Sequence, residues 1–198
     1  GGEIIGTVNA DNANESVITL TSADLIVDGN AHIVDQSVYS SQNRYAISAI
    51  GGVSVTIKNG LIESTYNTAV YINRLGSSGL QEDHAKFEMT GGTIKGGEYG
   101  LKHTQLNEIT LSGGTISGGK NQPDVYMAWE KNSVSGTAKF TVKGNFPFAS
   151  MKIESASKIN EIDFTKATAT GEENLQINLP WDGNETGANM KLFQASTS

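Results

Sequence analysis

Apolar and polar residues alternate in short runs along most of this chain. Val55 and Ile57 flank Thr56, Phe87 and Met89 flank Glu88, Ile109 and Leu111 flank Thr110, and Phe140 and Val142 flank Thr141. A period of two over so few residues marks a β-strand with one face buried and the other in water. Each run ends at a corner of glycine or asparagine: Asp28-Gly29-Asn30, Asn59-Gly60, Gly91-Gly92, Gly113-Gly114 and Gly144-Asn145. These residues reach left-handed backbone angles at little cost, so a sharp turn is predicted at one point of every unit. Behind the corner comes another apolar position, at Ile33, Ile62, Ile94, Ile116 and Phe146, and behind that a third strand: "YAISAI" from Tyr45, "TAVYIN" from Thr68, "YGLKHT" from Tyr99 and "PDVYMA" from Pro123.

The unit is repeated. "TGGTIKGG" from Thr90 returns as "SGGTISGG" from Ser112, 22 residues later (112 − 90). Strands too short to fold alone, turning the same way at such intervals, predict a solenoid in which each rung pairs in parallel with the next. Three strands per turn favour an all-β, single-stranded, right-handed parallel β-helix of seven to eight turns. Residues 1–198 form one domain in this reading, with regular rungs over 25–154 and less regular rungs and a cap over 155–198. In that last third, alternation persists at Ile159/Ile162/Phe164 and Leu175/Ile177/Leu179 without glycine corners. "PWDGNETG" from Pro180 reads as a surface turn and "MKLFQA" from Met190 as the last strand.

"FEMTGGTIKGG" and "ITLSGGTISGG" resemble the glycine-rich β-helix repeats of large surface proteins of anaerobic and gut bacteria, within the pectate-lyase-like superfold. The stretch from Ile159 to Phe193 is similar to the segment that often follows such repeats. The resemblance implies a piece of a longer, adhesin-like polypeptide, secreted or displayed at the cell surface, whose export signal or anchor lies outside this stretch.

Composition narrows the function classes. With 23 glycines, 3 prolines and no cysteine among 198 residues, the chain has a turn-rich β composition and no thiol chemistry. A formal charge of −7 and only two arginines argue against nucleic acid, and also against an acidic polysaccharide unless cations bridge it. No apolar run is long enough for a membrane helix.

The candidate chemistry lies on the third strands. Placing Ile47, Val70, Leu101 and Val125 inward turns Ser48, Tyr71, Lys102 and Tyr126 outward, stacked at about 4.8 Å per rung. The segments Asn73–Lys86 and Trp129–Lys139 follow these strands and predict loops that wall a groove. Exposed tyrosines with Trp129 offer stacking area to a sugar ring, and Lys102, Arg74, Asp124, Glu130 and Asn132 offer hydrogen bonds. The expected role is thus a non-catalytic adhesive or glycan-binding module, without cofactor or metal. The plainer reading is that tyrosine is an ordinary outward residue of a sheet, which leaves a structural stalk.

The rival is an enzyme, a polysaccharide lyase or glycoside hydrolase. Those chemistries need calcium-binding acids near a base, or two carboxylates across the scissile bond, and the third strands offer only Asp124. Calcium finds no clear motif: Glu82-Asp83-His84 reads as solvated loop charge, and Asp182 in the distal turn is a lone acid. His103 is expected to face the core with a backbone hydrogen bond, and His32 to lie on the surface with no identifiable carboxylate partner. An ice-binding threonine ladder is limited to Thr93 and Thr115, because the same column carries Leu61 and Ala31.

Overall fold

The computed structural model describes residues 2–7, 16–38, 44–73, 84–104, 107–127, 137–153, 159–168, 176–178 and 190–193. They form nineteen strands in three parallel sheets, a right-handed parallel β-helix with three strands per turn. The first sheet holds β1 (Glu3–Gly6), β4 (His32–Asp35), β7 (Leu61–Ser64), β10 (Thr93–Gly96) and β13 (Thr115–Ser117). The second holds β2 (Ile18–Leu20), β5 (Tyr45–Ile50), β8 (Thr68–Asn73), β11 (Leu101–His103), β14 (Val125–Met127), β16 (Ser150–Ile153) and β18 (Gln176–Asn178). The third holds β3 (Leu25–Val27), β6 (Ser54–Ile57), β9 (Lys86–Met89), β12 (Glu108–Leu111), β15 (Thr137–Asn145), β17 (Ile159–Thr168) and β19 (Met190–Phe193).

The core is built from columns of like residues, because each rung must match the rung beneath it. Ile33, Ile62, Ile94 and Ile116 stack on the first sheet. Ile47, Val70, Leu101, Val125 and Met151 stack on the second, and Val55, Phe87, Ile109 and Phe140 on the third. All of these side chains are buried. The glycine corners adopt the predicted left-handed angles, φ 98° at Gly60, 81° at Gly92 and 90° at Gly114. At Gly114 a β-carbon would also stand 2.7 Å from the Gly92 carbonyl oxygen, so successive corners pack too closely for any side chain.

Buried polar groups tie rungs together at two further corners. Asn107 is fully buried; its amide donates to the Ile72 and Thr104 carbonyls at 3.2 Å each, while its oxygen accepts from the Ala85 N–H at 3.1 Å. Asp35 is also fully buried. Its Oδ1 accepts from Arg44 Nε at 2.8 Å and from the Ser37 N–H at 3.1 Å and hydroxyl, and its Oδ2 from Ser64 Oγ at 2.9 Å and Asn67 Nδ2 at 3.2 Å. Burial raises the Asp35 pKa, but donation from Ser37, Arg44 and Ser64 outweighs it and leaves the carboxyl below its ordinary value.

Four sequence expectations need correction. Phe146 does not continue the first sheet, which ends at β13 among the described residues; Ile116 N–H donates instead to the Pro147 carbonyl at 2.6 Å, and Phe148 turns into the core. Proline lacks the N–H needed to extend a ladder there. The threonine column carries His32, not Ala31, beneath Leu61, because the first corner has one residue more than the others. His32 lies 3.1 Å from a carboxylate oxygen of both Glu3 and Glu63, partners that the sequence did not reveal. His84 is buried rather than solvated; Glu82, Asp83 and Asp182 lie outside the described residues. β15, inside the span expected to hold regular rungs, and β17 have nine and ten residues and are joined across a register shift between Thr141 and Lys143.

Candidate functional site

The outward column of the second sheet is set by register. Thr19 pairs with Ser48, Ser48 with Tyr71, Tyr71 with Lys102, Lys102 with Tyr126 and Tyr126 with Lys152. The expected Ser-Tyr-Lys-Tyr ladder is therefore in place, with Thr19 and Lys152 extending it. Inward neighbours on both sides enforce the orientation: Val70 and Ile72 around Tyr71, Leu101 and His103 around Lys102, and Val125 and Met127 around Tyr126 are all buried.

The side chains of the column touch one another. Lys102 Nζ lies 5.6 Å from the ring centroid of Tyr71 and 5.8 Å from that of Tyr126, and Lys152 Nζ lies 5.4 Å from Tyr126. An ammonium over a ring face is worth about 0.5–1 kcal/mol at an exposed site, enough to bias where each lysine points. Two more tyrosines brace the ladder: Tyr45 stacks on Tyr71 at 4.4 Å between centroids, and Tyr99 on Tyr126 at 4.5 Å. Burial, with the nearby Tyr71 and Glu98, pushes the Tyr45 hydroxyl pKa well up, so the ring stays neutral.

Exposure refines the roles expected from sequence. Tyr71 and Lys102 are half-buried and Lys152 is exposed, whereas Tyr126 is only 7% exposed. Tyr126 thus serves as a platform for the two lysines, and Tyr71, stacked on Tyr45 and beneath the Lys102 ammonium, is the more exposed tyrosine of the column. Asp124 holds backbone: its Oδ1 accepts from the Gly118 N–H at 2.8 Å, and its Oδ2 from the Ala149 and Ser150 N–H groups at 2.8 and 2.9 Å. Arg74, Trp129, Glu130 and Asn132 lie outside the described residues.

Several contributors were not singled out by sequence. Lys152 was legible, since Met151 and Ile153 flank it as Leu101 and His103 flank Lys102. Tyr45 and Tyr99 precede their strands' alternation, and no periodicity reveals their stacking. The buried Asp35–Arg44 pair carries no local signal, because its members come together only through the corner between sheets. His103 is where expected, fully buried beside Phe140, with Nδ1 3.1 Å from the Thr104 carbonyl. Burial, only partly offset by that bond, lowers its pKa to about 4.

Among the described residues no three His, Cys, Asp or Glu side chains converge on a metal-sized site, and no helix is long and apolar enough to cross a membrane. Together the fold and the column define a β-helical solenoid with a tyrosine–lysine ladder on one outer face. Comparison with family models, with curated proteins and with solved structures returns no match.

Proposed function

We propose that this chain is a non-catalytic module of a secreted or cell-surface protein, and that it binds a glycan on the outer face of its second sheet. The observation that carries the reading is the continuous Tyr71–Lys102–Tyr126–Lys152 column, in which aromatic side chains alternate with lysine hydrogen-bond donors at the surface of one sheet. Sugar rings present C–H faces to aromatic area and hydroxyls to such donors. A lyase or hydrolase would need acids free to move protons, whereas the Asp124 and Asp35 carboxylates are engaged by backbone amides and by Arg44.

A second reading, the structural stalk, is favoured by the burial of Tyr45 and Tyr126, whose rings help to cover the sheet itself. Glycan-array binding by the purified chain and by Tyr71→Ala separates the two. Tyr71 is the more suitable position because Tyr126, only 7% exposed, would lose more packing on truncation. Binding that Tyr71→Ala loses, with an unchanged circular dichroism spectrum and no turnover of the bound glycan, supports the module. Absence of binding by the parent chain leaves the stalk, and new double-bond absorbance from a uronate polymer establishes the lyase.

A further inference from the structure

Charge is distributed unevenly over the outer faces of this β-helix. On the first sheet Lys95 stands in register with Glu63. On the third, Lys86 and Lys139 both stand in register with Glu108, and Lys86 Nζ reaches its carboxylate at 3.9 Å. The alternation continues by register through Glu161 to Lys191; past the bulge, Lys143 comes opposite Lys166. The column on the second sheet differs, because Lys102 and Lys152 lie two rungs apart with tyrosine between them and no acid in register. The acids at the margin of this sheet keep their charge but pair with neither lysine: Glu98 accepts from the Thr68 hydroxyl at 3.1 Å, and Asp124 from three backbone amides.

A column of alternating sign neutralises itself, whereas two unmatched lysines on a chain of net charge −7 make a local field that an anion would complete. We propose that the column binds a polysaccharide in which a carboxylate-bearing sugar alternates with a neutral one. Two rungs span roughly 10 Å, the order of spacing between carboxylates on every second sugar of an extended chain laid along the helix axis. Lys102 and Lys152 pair with successive carboxylates, and the neutral sugar spans the rung between them. Tyr126 holds both ammonium groups in position, which reduces the side-chain freedom lost on binding. The net charge of −7 opposes an acidic polysaccharide at long range, but mobile ions damp the field of acids farther than about 8 Å at physiological salt, so a carboxylate in contact with Lys102 or Lys152 meets mainly their local charge. The acidic-sugar assignment rests on the glycan reading above.

The test is calorimetric titration of the whole chain with four probes: an oligosaccharide of alternating glucuronate and N-acetylglucosamine, the same oligosaccharide after carboxyl reduction, a polygalacturonate oligomer and a sulfated glycosaminoglycan. The alternating acid is expected to bind roughly tenfold more tightly than its reduced form and to weaken as salt is added. Lys102→Met/Lys152→Met is expected to remove that advantage, so that the acidic and the reduced oligosaccharide bind the variant equally. Should the double variant lose its fold, single Lys102→Gln and Lys152→Gln variants supply the same comparison. Equal binding of acidic and reduced forms overturns the charge inference and leaves the glycan reading intact; binding of none of the probes overturns both. A preference for the sulfated probe or for polygalacturonate, or an advantage that survives lysine removal, overturns the assignment.

Discussion

His103 should make this protein lose stability in mild acid, over a window set by one buried imidazole. The ring is fully buried between the core residues Ile72 and Met127 of the neighbouring rungs and stacks on Phe140 at 5.5 Å between centroids. Its Nδ1 donates to the Thr104 carbonyl, and its Nε2 is buried without a partner. A proton added at Nε2 would therefore enter the core uncompensated, which is why burial lowers the pKa to about 4. The unfolded chain binds that proton near the ordinary histidine value of about 6.5. Below that value the unfolded state holds more protons than the folded one, so stability falls as the pH drops towards about 4, and this contribution levels off beneath it. The gap corresponds to roughly 3 kcal/mol, a large part of the stability of an ordinary domain.

His103→Leu isolates the effect. Leucine suits a column that already holds isoleucine and methionine, and the Thr104 carbonyl keeps the Asn107 amide as a donor at 3.2 Å. Urea unfolding followed by circular dichroism, at about pH 7.5 and again at about pH 4.5, compares the two chains; every carboxylate titrates in both and cancels in the difference. The parent is expected to lose between about 2 and 3 kcal/mol more than the variant over that interval. Parallel pH profiles would refute the reasoning and mean that His103 takes up its proton in the folded chain as readily as in the unfolded one.

The other buried charge behaves differently. Asp35→Asn should cost about 3–5 kcal/mol by leaving Arg44 charged and buried, and Asp35→Leu/Arg44→Met should recover most of it, read as shifts in urea midpoint. Because its folded pKa is lowered, Asp35 contributes stability above the unfolded carboxylate value and loses it as pH falls through the folded one; Asp35→Asn should flatten the acid limb below that of histidine. Gly114→Ala forces a side chain onto a left-handed backbone and against the Gly92 carbonyl, and should cost more than about 1 kcal/mol in the same assay. Glu108→Lys places like charges in three successive rungs of the third sheet. Lys86 is well exposed and Glu108 partly so, and the cost should therefore stay under about 1 kcal/mol and shrink as salt is added.

The fold was legible because a solenoid states its rule many times. Period-two alternation names the strands, the glycine corners name the turns, and the near-copy at Thr90 and Ser112 names the rung; together they put Tyr71, Lys102 and Tyr126 in one column, as the register has them. Alternation assigns a face, however, and a face is not an exposure. Tyr126 points outward and is still buried, because Tyr99 and two lysines crowd its ring. Contacts across corners and between rungs were also hidden. Asp35 meets Arg44 across a corner within one turn, Asn107 ties neighbouring turns together, and His32 meets Glu3 and Glu63 on the adjacent rungs of the first sheet; no local pattern encodes these contacts.

The same repetition explains why function separates from folding here. An inward position must match the rung on either side, so Ile62 is constrained by Ile33 and by Ile94. An outward position meets its neighbours at about the same spacing but at a surface where water tolerates nearly any side chain. Departures from self-complementarity on an outer column are therefore more informative than its composition. The third sheet sets lysine against glutamate, which fixes register and leaves little net field. The second sheet sets lysine against tyrosine, which holds the ammonium groups without neutralising them. A positive strip maintained in that way on a negatively charged solenoid does nothing for register that a glutamate would not do better, and that is the physical ground for looking to a ligand there.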